Sequence, residues 1–437
     1  MATTETGERG LPPGPSEPFP IDADVASFQR MQECFEEYGD IYRIQSPGRD
    51  VPTYVLNHPD MVQRVLVTNW RNYVKGRGFE RVKMLLGNGL IVSDGEHWLE
   101  QRKMIQPAFK RDVIGELSEV TRRVNRKLLS RWDQLAEEGT PVDVNQETSE
   151  LALDIILGTI FGEDLENYRG EDGKTPFAVL VDHNERDLAL VVKFRALTKI
   201  VAAIMETRRE ANAHPVDFLS MLMNARRKAT GAPMTDKDLI DEIMTLIVAG
   251  HETTAATLSW LWYSVAEHPE VEERLHAEVD PLMGDEPPAF ADLDRYPFTK
   301  KLMFETLRHF PPVWLFTRKA LGPDRLGEYD VAPGTDIFLS PYIVHRHPGF
   351  WDEPRAFRPE RFGVEGVNTR HEFAYFPFSM GPRRCTGDFF ALVETVVHVG
   401  WIAPRFRLRY VPDRPLELDP AVNLRSKHGI RMRIERR

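Results

Sequence analysis

Phe378-Ser379-Met380-Gly381-Pro382-Arg383-Arg384-Cys385-Thr386-Gly387 is the stretch on which the reading of this chain turns. A single cysteine stands in a tight loop bracketed by glycines, with an arginine two residues before it. An apolar helical pattern follows at once, from Phe389-Phe390-Ala391-Leu392-Val393 to Trp401. Backbone N–H groups at a helix N-terminus stabilise negative charge, so the arrangement suits a sulfur anion presented to a metal. Gly381 and Gly387 are expected to supply a positive φ or a close backbone approach. An isolated cysteine is more often a small buried hydrophobe. Five set positions within ten residues argue against that here.

Working outward, composition agrees with a large globular enzyme. The chain has 437 residues, 42% apolar and 28% charged, which is ordinary for a folded protein. Its formal charge of −11 argues against a nucleic-acid binder. Cys34 and Cys385 are the two cysteines, which excludes a disulfide scaffold and points to a reducing, cytoplasmic setting. No apolar run in 1–30 approaches the ~18 residues of a membrane span, so no membrane anchor is expected. Leu11-Pro12-Pro13-Gly14-Pro15 reads as a stiff, extended segment within a flexible N-terminal arm, 1–20.

Helical periodicity dominates the rest. Helices are expected at 22–38, from Pro59 through Val67, and at 96–106, 112–136, 146–161, 176–209, 215–227, 235–267, 271–279, 298–309 and 388–403. Short strands are expected at 41–45, 51–56 and 336–340. The longest helix, N-capped by Thr235, would span about 50 Å at about 1.5 Å per residue. Its middle reads Ala249-Gly250-His251-Glu252-Thr253-Thr254. Small residues at 249 and 250 would let a flat cofactor lie against the helix. A helical threonine can bond back to the carbonyl four residues earlier and open the turn. Glu305 and Arg308 share a helix face at i, i+3. Arg361, in Phe357-Arg358-Pro359-Glu360-Arg361-Phe362, stands just before the cysteine loop. Trp98 and Arg102 are neighbours at i, i+4 after the glycine-rich Gly87-Asn88-Gly89-Leu90.

In combination these motifs resemble the cytochrome P450 family, the haem-thiolate monooxygenases, over roughly Pro12 to the C-terminus. The resemblance implies a mainly α fold with a small β portion, one triangular α-rich domain over 21–437. It implies haem b as cofactor, with Cys385 as the axial iron ligand. Trp98, Arg102, Arg318 and Arg383 would hold its propionates, with Ala249 and Phe378 also at the cofactor. Glu252 and Thr253 would be the catalytic pair, the acid relaying protons to the threonine. Glu305, Arg308 and Arg361 would form the network that holds the cysteine loop. His97, His345 and His347 are given no metal role and are read as exposed or supporting. The segment 162–216, where the family has its substrate lid, looks short.

The product would be a hydroxylated lipophilic molecule: a fatty acid, terpenoid, steroid or polyketide. Pocket candidates are 79–86, Met244, Ile247, Val248, Val313-Trp314-Leu315-Phe316 and Asn423-Leu424-Arg425-Ser426, a largely apolar set. The chain carries no flavin or nicotinamide domain, so a ferredoxin or flavodoxin with its reductase would supply electrons. Lys103, Lys110, Arg111 and Arg384 are expected to be free to face that acidic partner. A monomer is expected. A peroxide-driven peroxygenase is the alternative enzyme; a haem-thiolate sensor or electron carrier is the alternative from another class.

Overall fold

Prolines at helix starts and glycines at helix ends partition the chain much as the periodicity suggests. The computed structural model describes residues 10–48, 51–171, 173–181, 188–363 and 371–437. Its α-helices are α1 (Val25–Tyr38), α2 (Pro59–Gln63), α3 (Phe79–Leu86), α4 (Gly95–Ile105), α5 (Arg111–Glu138), α6 (Val144–Phe161), α7 (Leu188–Ala211), α8 (Phe218–Asn224), α9 (Asp236–Glu267), α10 (Pro269–Val279), α11 (Pro297–His309), α12 (Pro341–Val344) and α13 (Asp388–Ile402). The Thr235 hydroxyl accepts from the Asp238 N–H at 3.1 Å, so the expected cap of α9 is present.

The strands are β1 (Ile41–Ile44), β2 (Thr53–Leu56), β3 (Tyr73–Lys75), β4 (Val142–Asp143), β5 (Phe316–Ala320), β6 (Asp324–Leu326), β7 (Tyr329–Val331), β8 (Asp336–Leu339), β9 (Phe406–Tyr410), β10 (Leu418–Pro420), β11 (Leu424–Ser426) and β12 (Arg431–Arg436). One five-stranded sheet runs in the order β1-β2-β8-β5-β3. Only its β2–β8 pair is parallel. A three-stranded sheet β4-β12-β9 and the hairpins β6-β7 and β10-β11 complete the β portion. The β10–β11 hairpin matters most for the site, because its turn reaches α9.

Apolar side chains gather into a main helical core, a second cluster under the five-stranded sheet and a third between α1 and that sheet. α9 runs through the main core and packs closely on α6. Gly250 makes that possible, since a Cβ there would lie 2.8 Å from Ile156 Cδ1. Its missing side chain therefore serves helix packing and not a cofactor face.

Three expectations change. The helix from Pro59 stops at Gln63, and Arg64–Thr68 winds as a π-helix. That wider turn sets the Leu66 carbonyl against the cysteine loop. The helix expected over 176–209 is a 3-10 turn, Pro176–Leu180, followed by α7 from Leu188; its stretch 182–187 lies outside the described residues. The helix expected over 215–227 shortens to α8, because Asp217 caps it by accepting the Ser220 N–H at 2.8 Å. The N-terminal arm runs beside β1 along 10–15, where the Arg43 N–H donates to the Pro13 carbonyl at 2.8 Å. A Cβ on Gly14 would lie 2.0 Å from the Arg43 carbonyl oxygen.

Candidate active site

The cysteine loop closes on itself, with the Cys385 N–H donating to the Phe378 carbonyl at 2.9 Å. α13 starts three residues later, so the sulfur stands at a helix N-terminus as expected. Gly381 has φ +66°, and a Cβ there would lie 2.3 Å from the Leu66 carbonyl oxygen. Only glycine fits that position. Gly387 departs from expectation: its φ is −93°, and a Cβ would make only ordinary contacts, 3.8 Å from Phe109 and 4.0 Å from the Cys385 sulfur. It contributes its N–H, which hydrogen-bonds the sulfur.

Cys385 keeps open surface although protein surrounds it deeply. Together these place the sulfur on the wall of an internal hollow. Burial pushes the thiol pKa up to about 11, against the Gly387 N–H and the Arg102 and Arg384 charges. The helix end and the Gly387 N–H favour negative charge on the sulfur, and a metal cation would complete that, because a coordinating thiol is deprotonated outright.

Near this wall lies an excess of positive charge. Arg383 pairs with Asp94, donates to the Ser93 carbonyl at 3.3 Å, and lies 4.4 Å over the Trp98 ring. Its Nε is buried without a partner. Arg318 is 3% exposed, and its guanidinium donates to the backbone carbonyl of Thr317 at 2.8 Å. Burial and then the Arg383 charge bring its pKa down to about 10. Lys75, cross-strand from Arg318 in the β3–β5 pair, is driven well below the ordinary lysine value by burial, Arg318 and Arg383. Three cations thus face one carboxylate, Asp94. Buried like charges at that density call for further anions, and the two propionates of a haem fit. Lys75 was not found by sequence reasoning; its only signal is the strand register, which no motif carries. Arg102 belongs to a different surrounding: burial lowers its pKa, and the acidic neighbours that oppose this are Cys385 and Asp388.

On α9, the Thr253 hydroxyl donates to the Ala249 carbonyl at 2.6 Å, as expected, yet the helix remains unbroken. Glu252 Oε2 accepts from the Asn423 amide at 2.6 Å. Thr254 points elsewhere and donates to the buried Glu394 at 3.1 Å.

Behind the loop, Arg308 grips Glu305 at 2.7 and 2.9 Å with both side chains fully buried. Arg361 Nε approaches Glu305 at 3.4 Å, and the Arg358 N–H donates to it at 2.7 Å. Burial alone would raise the Glu305 pKa; bonds from Arg308 and His309 outweigh it and hold the carboxylate ionised. His345 is wholly buried, its Nε2 accepting the Phe376 N–H at 2.9 Å. That bond steadies the segment leading into the cysteine loop.

A family model described as Cytochrome P450 matches residues 21–185 and 176–429. The chain belongs to the cytochrome P450 family. It is 32% identical over 405 residues to cyclooctatin synthase of Streptomyces melanosporofaciens, covering 89% of this chain and 87% of that one. It is also 32% identical over 396 residues to cyclooctat-9-en-7-ol 5-monooxygenase of the same organism (87% and 84% covered). Pentalenene oxygenase of Streptomyces avermitilis is 29% identical over 419 residues (92% and 91%). The crystal structure of the cytochrome P450DA heme domain superposes with a TM-score of 0.86 over 98% of both chains, at 24% identity, which bears on the fold alone. The protein is a cytochrome P450 monooxygenase, and the family implies haem as its cofactor.

One expectation about this P450's substrate side needs correction, while its proposed partner face keeps its exposed cations. Arg384 pairs with Asp388 at 2.8 Å and Arg111 lies 4.4 Å over the Phe389 ring, and both remain exposed. Lys103 and Lys110 are exposed as expected. On the substrate side, a residue that lines a hollow keeps open surface. Val248, Val313, Leu315 and Phe316 do. Met244 and Ile247, at 1% and 0% exposure, are core residues. Trp314 packs on Phe28, with its indole N–H on the Ala421 carbonyl.

Proposed function

We propose that this P450 hydroxylates a terpenoid, using haem b and electrons from a ferredoxin or flavodoxin with its reductase, in the cytoplasm. One observation carries the chemistry: the Cys385 sulfur stands at the N-terminus of α13, bonded by the Gly387 N–H, in the same loop as Arg383, whose Nε is buried without a partner. When bound, the haem supplies a thiolate-ligated iron that activates O2, one atom entering the substrate while two electrons and two protons reduce the other to water.

The chain's own residues do the rest. Cys385 would ligate the iron. Lys75, Arg318, Arg383, Trp98 and Arg102 would hold the propionates, with Ala249 and Phe378 against the ring. Val248, Leu315 and Phe316 would desolvate an apolar substrate. Thr253, its hydrogen already donated to Ala249, presents hydroxyl lone pairs to a donor in the groove. Glu252 is the acid that moves protons toward it. The terpenoid class is supported by relatives whose names print cyclooctat-9-en-7-ol and pentalenene as substrates.

The test is a panel of terpenoids, fatty acids, steroids and polyketides, read by the high-spin shift of the haem spectrum and by mass of the product. A terpenoid should give the shift and a product one oxygen heavier when donor and reductase are present. Shifts from fatty acids alone would overturn the class, and equal turnover with peroxide alone would favour a peroxygenase. Cys385→Ser should abolish the red-shifted carbon-monoxide band.

A further inference from the structure

Two consecutive acids of α9 hold the glycine-rich turn between α3 and α4. Asp241 accepts the Asn88 N–H at 2.8 Å, and Glu242 accepts the Leu90 N–H at 2.9 Å. Glycines let the chains come this close: a Cβ on Gly87 would lie 2.1 Å from Asp241 Oδ1, and one on Gly89 2.1 Å from Thr245 Oγ1. Exposed Lys237 pairs with Asp241 at 2.5 Å, whereas Glu242 is fully buried. A buried carboxyl without hydrogen bonds is costly, so Glu242 and the Leu90 N–H satisfy each other. Beyond this clamp the turn winds tightly, the Val92 and Ser93 N–H groups both donating to the Gly89 carbonyl at 3.0 Å. It ends on the cation cluster. The Ser93 carbonyl and the Asp94 carboxylate are the groups that hold Arg383, and Asp94 also accepts the Lys75 N–H at 2.9 Å. One short, doubly anchored stretch thus links α9 to the carboxylate that faces three cations.

We propose that Asp241 and Glu242 are positioning residues that act through this turn, fixing Asp94 against Arg383 and so setting how much positive charge remains for the cofactor. The proposal rests on the cofactor reading of Arg383 given above. With the turn released, Asp94 moves away from Arg383, and the surroundings of a bound redox centre become more positive. The reduced form of such a centre carries one negative charge more than the oxidised form, so extra positive charge favours it. Releasing the clamp therefore raises the reduction potential.

The test uses the holoenzyme with two paired substitutions. Asp241→Ala with Glu242→Ala removes both acceptors. Asp241→Asn with Glu242→Gln removes the same charges but leaves an acceptor oxygen for each N–H. Amide exchange at Asn88, Leu90 and Ser93 should be about tenfold faster in the alanine pair and near wild type in the amide pair. The haem midpoint potential, read by spectroscopic titration, should lie higher in the alanine pair than in the amide pair. Asp94→Asn alone should raise it too, and in that background the two pairs should coincide. Equal exchange in the two pairs would show that the acids do not hold the turn. Faster exchange with equal potentials would leave the clamp purely structural and overturn the proposal. If Asp94→Asn leaves the potential unchanged, the cofactor reading of Arg383 falls, and the proposal with it. Should the alanine pair fail to keep haem, Asp241→Ala against Asp241→Asn carries the same comparison of exchange and potential.

Discussion

Single residues around Cys385 differ in what they demand, and the two glycines of its loop show this most sharply. Gly381 has a positive φ and no room for a Cβ, whereas Gly387 has neither constraint. Gly381→Ala should therefore strain the loop and press on the Leu66 carbonyl, at a cost of about 2–3 kcal/mol or more. Gly387→Ala should stay within about 1 kcal/mol and retain haem. Equal haem loading in both variants, measured by Soret absorbance per protein, would contradict that contrast. The cations make a prediction with two signs. Arg318→Leu removes buried like-charge repulsion from Lys75 and Arg383, so the haem-free protein should melt no lower than wild type. If Arg318 holds a propionate as proposed, the same change also removes a charge-assisted bond of about 1.5–3 kcal/mol, and haem affinity should fall roughly ten- to a hundredfold. A parallel loss in both forms would mean that Arg318 is structural only. Cys385, Trp98, Arg318 and Arg383 were legible because each belongs to a short motif. Lys75 was not, since a lone lysine acquires meaning only when β3 pairs with β5.

Elements follow the same division between local and long-range information. α4, α5, α9, α11 and α13 were readable within a few residues of their ends, because caps and apolar periodicity are local signals. The π-turn after α2 was not, since it answers to Gly381 more than 300 residues away in sequence. Gly250 is the instructive misreading: a small residue in the middle of a cofactor-side helix is assigned by its neighbour Ile156, which the sequence places on another helix. A substitution pair tests this. Gly250→Ala alone should lower stability by about 1 kcal/mol or more, because Ile156 must shift and the helix-propensity gain of alanine only partly offsets it. Adding Ile156→Val, which withdraws the Cδ1 methyl, should recover most of the loss. Independent, additive effects in a double-mutant cycle of denaturation midpoints would show that the two helices do not meet through this pair.

Over the whole molecule, buried ionisable groups outside the proposed catalytic pair set how stability depends on pH. His398 is fully buried, bonded to Asn125 at Nδ1 and to the Trp262 indole at Nε2, and burial takes its pKa down to about 3. His309 falls to about 4 by burial, against its bond to Glu305. In the unfolded chain both regain about 6.5, so below that pH the unfolded state binds the extra protons and stability declines. Glu242 and Glu394 behave oppositely: burial raises each to about 8, partly opposed by the Leu90 N–H and by Thr254. Unfolded, they ionise near 4.5, so the native state holds the extra protons from there to about 8 and stability falls as pH rises. Each group contributes a slope of about 1.4 kcal/mol per pH unit within its window. From pH 4.5 to 6.5 the two histidines and two glutamates cancel, and above 6.5 only the glutamate losses remain. Denaturation midpoints should accordingly be flattest near pH 4.5–6.5 and drop toward pH 8. Glu242→Gln with Glu394→Gln should level the alkaline drop and, by removing the cancellation, start the acid decline already at pH 6.5, while His398→Gln should soften the acid limb and start the alkaline fall already near pH 4.5. A wild-type profile flat between pH 6.5 and 8 would mean that both carboxyls ionise in the folded protein, and that water reaches the unpartnered oxygens of Glu242 and Glu394.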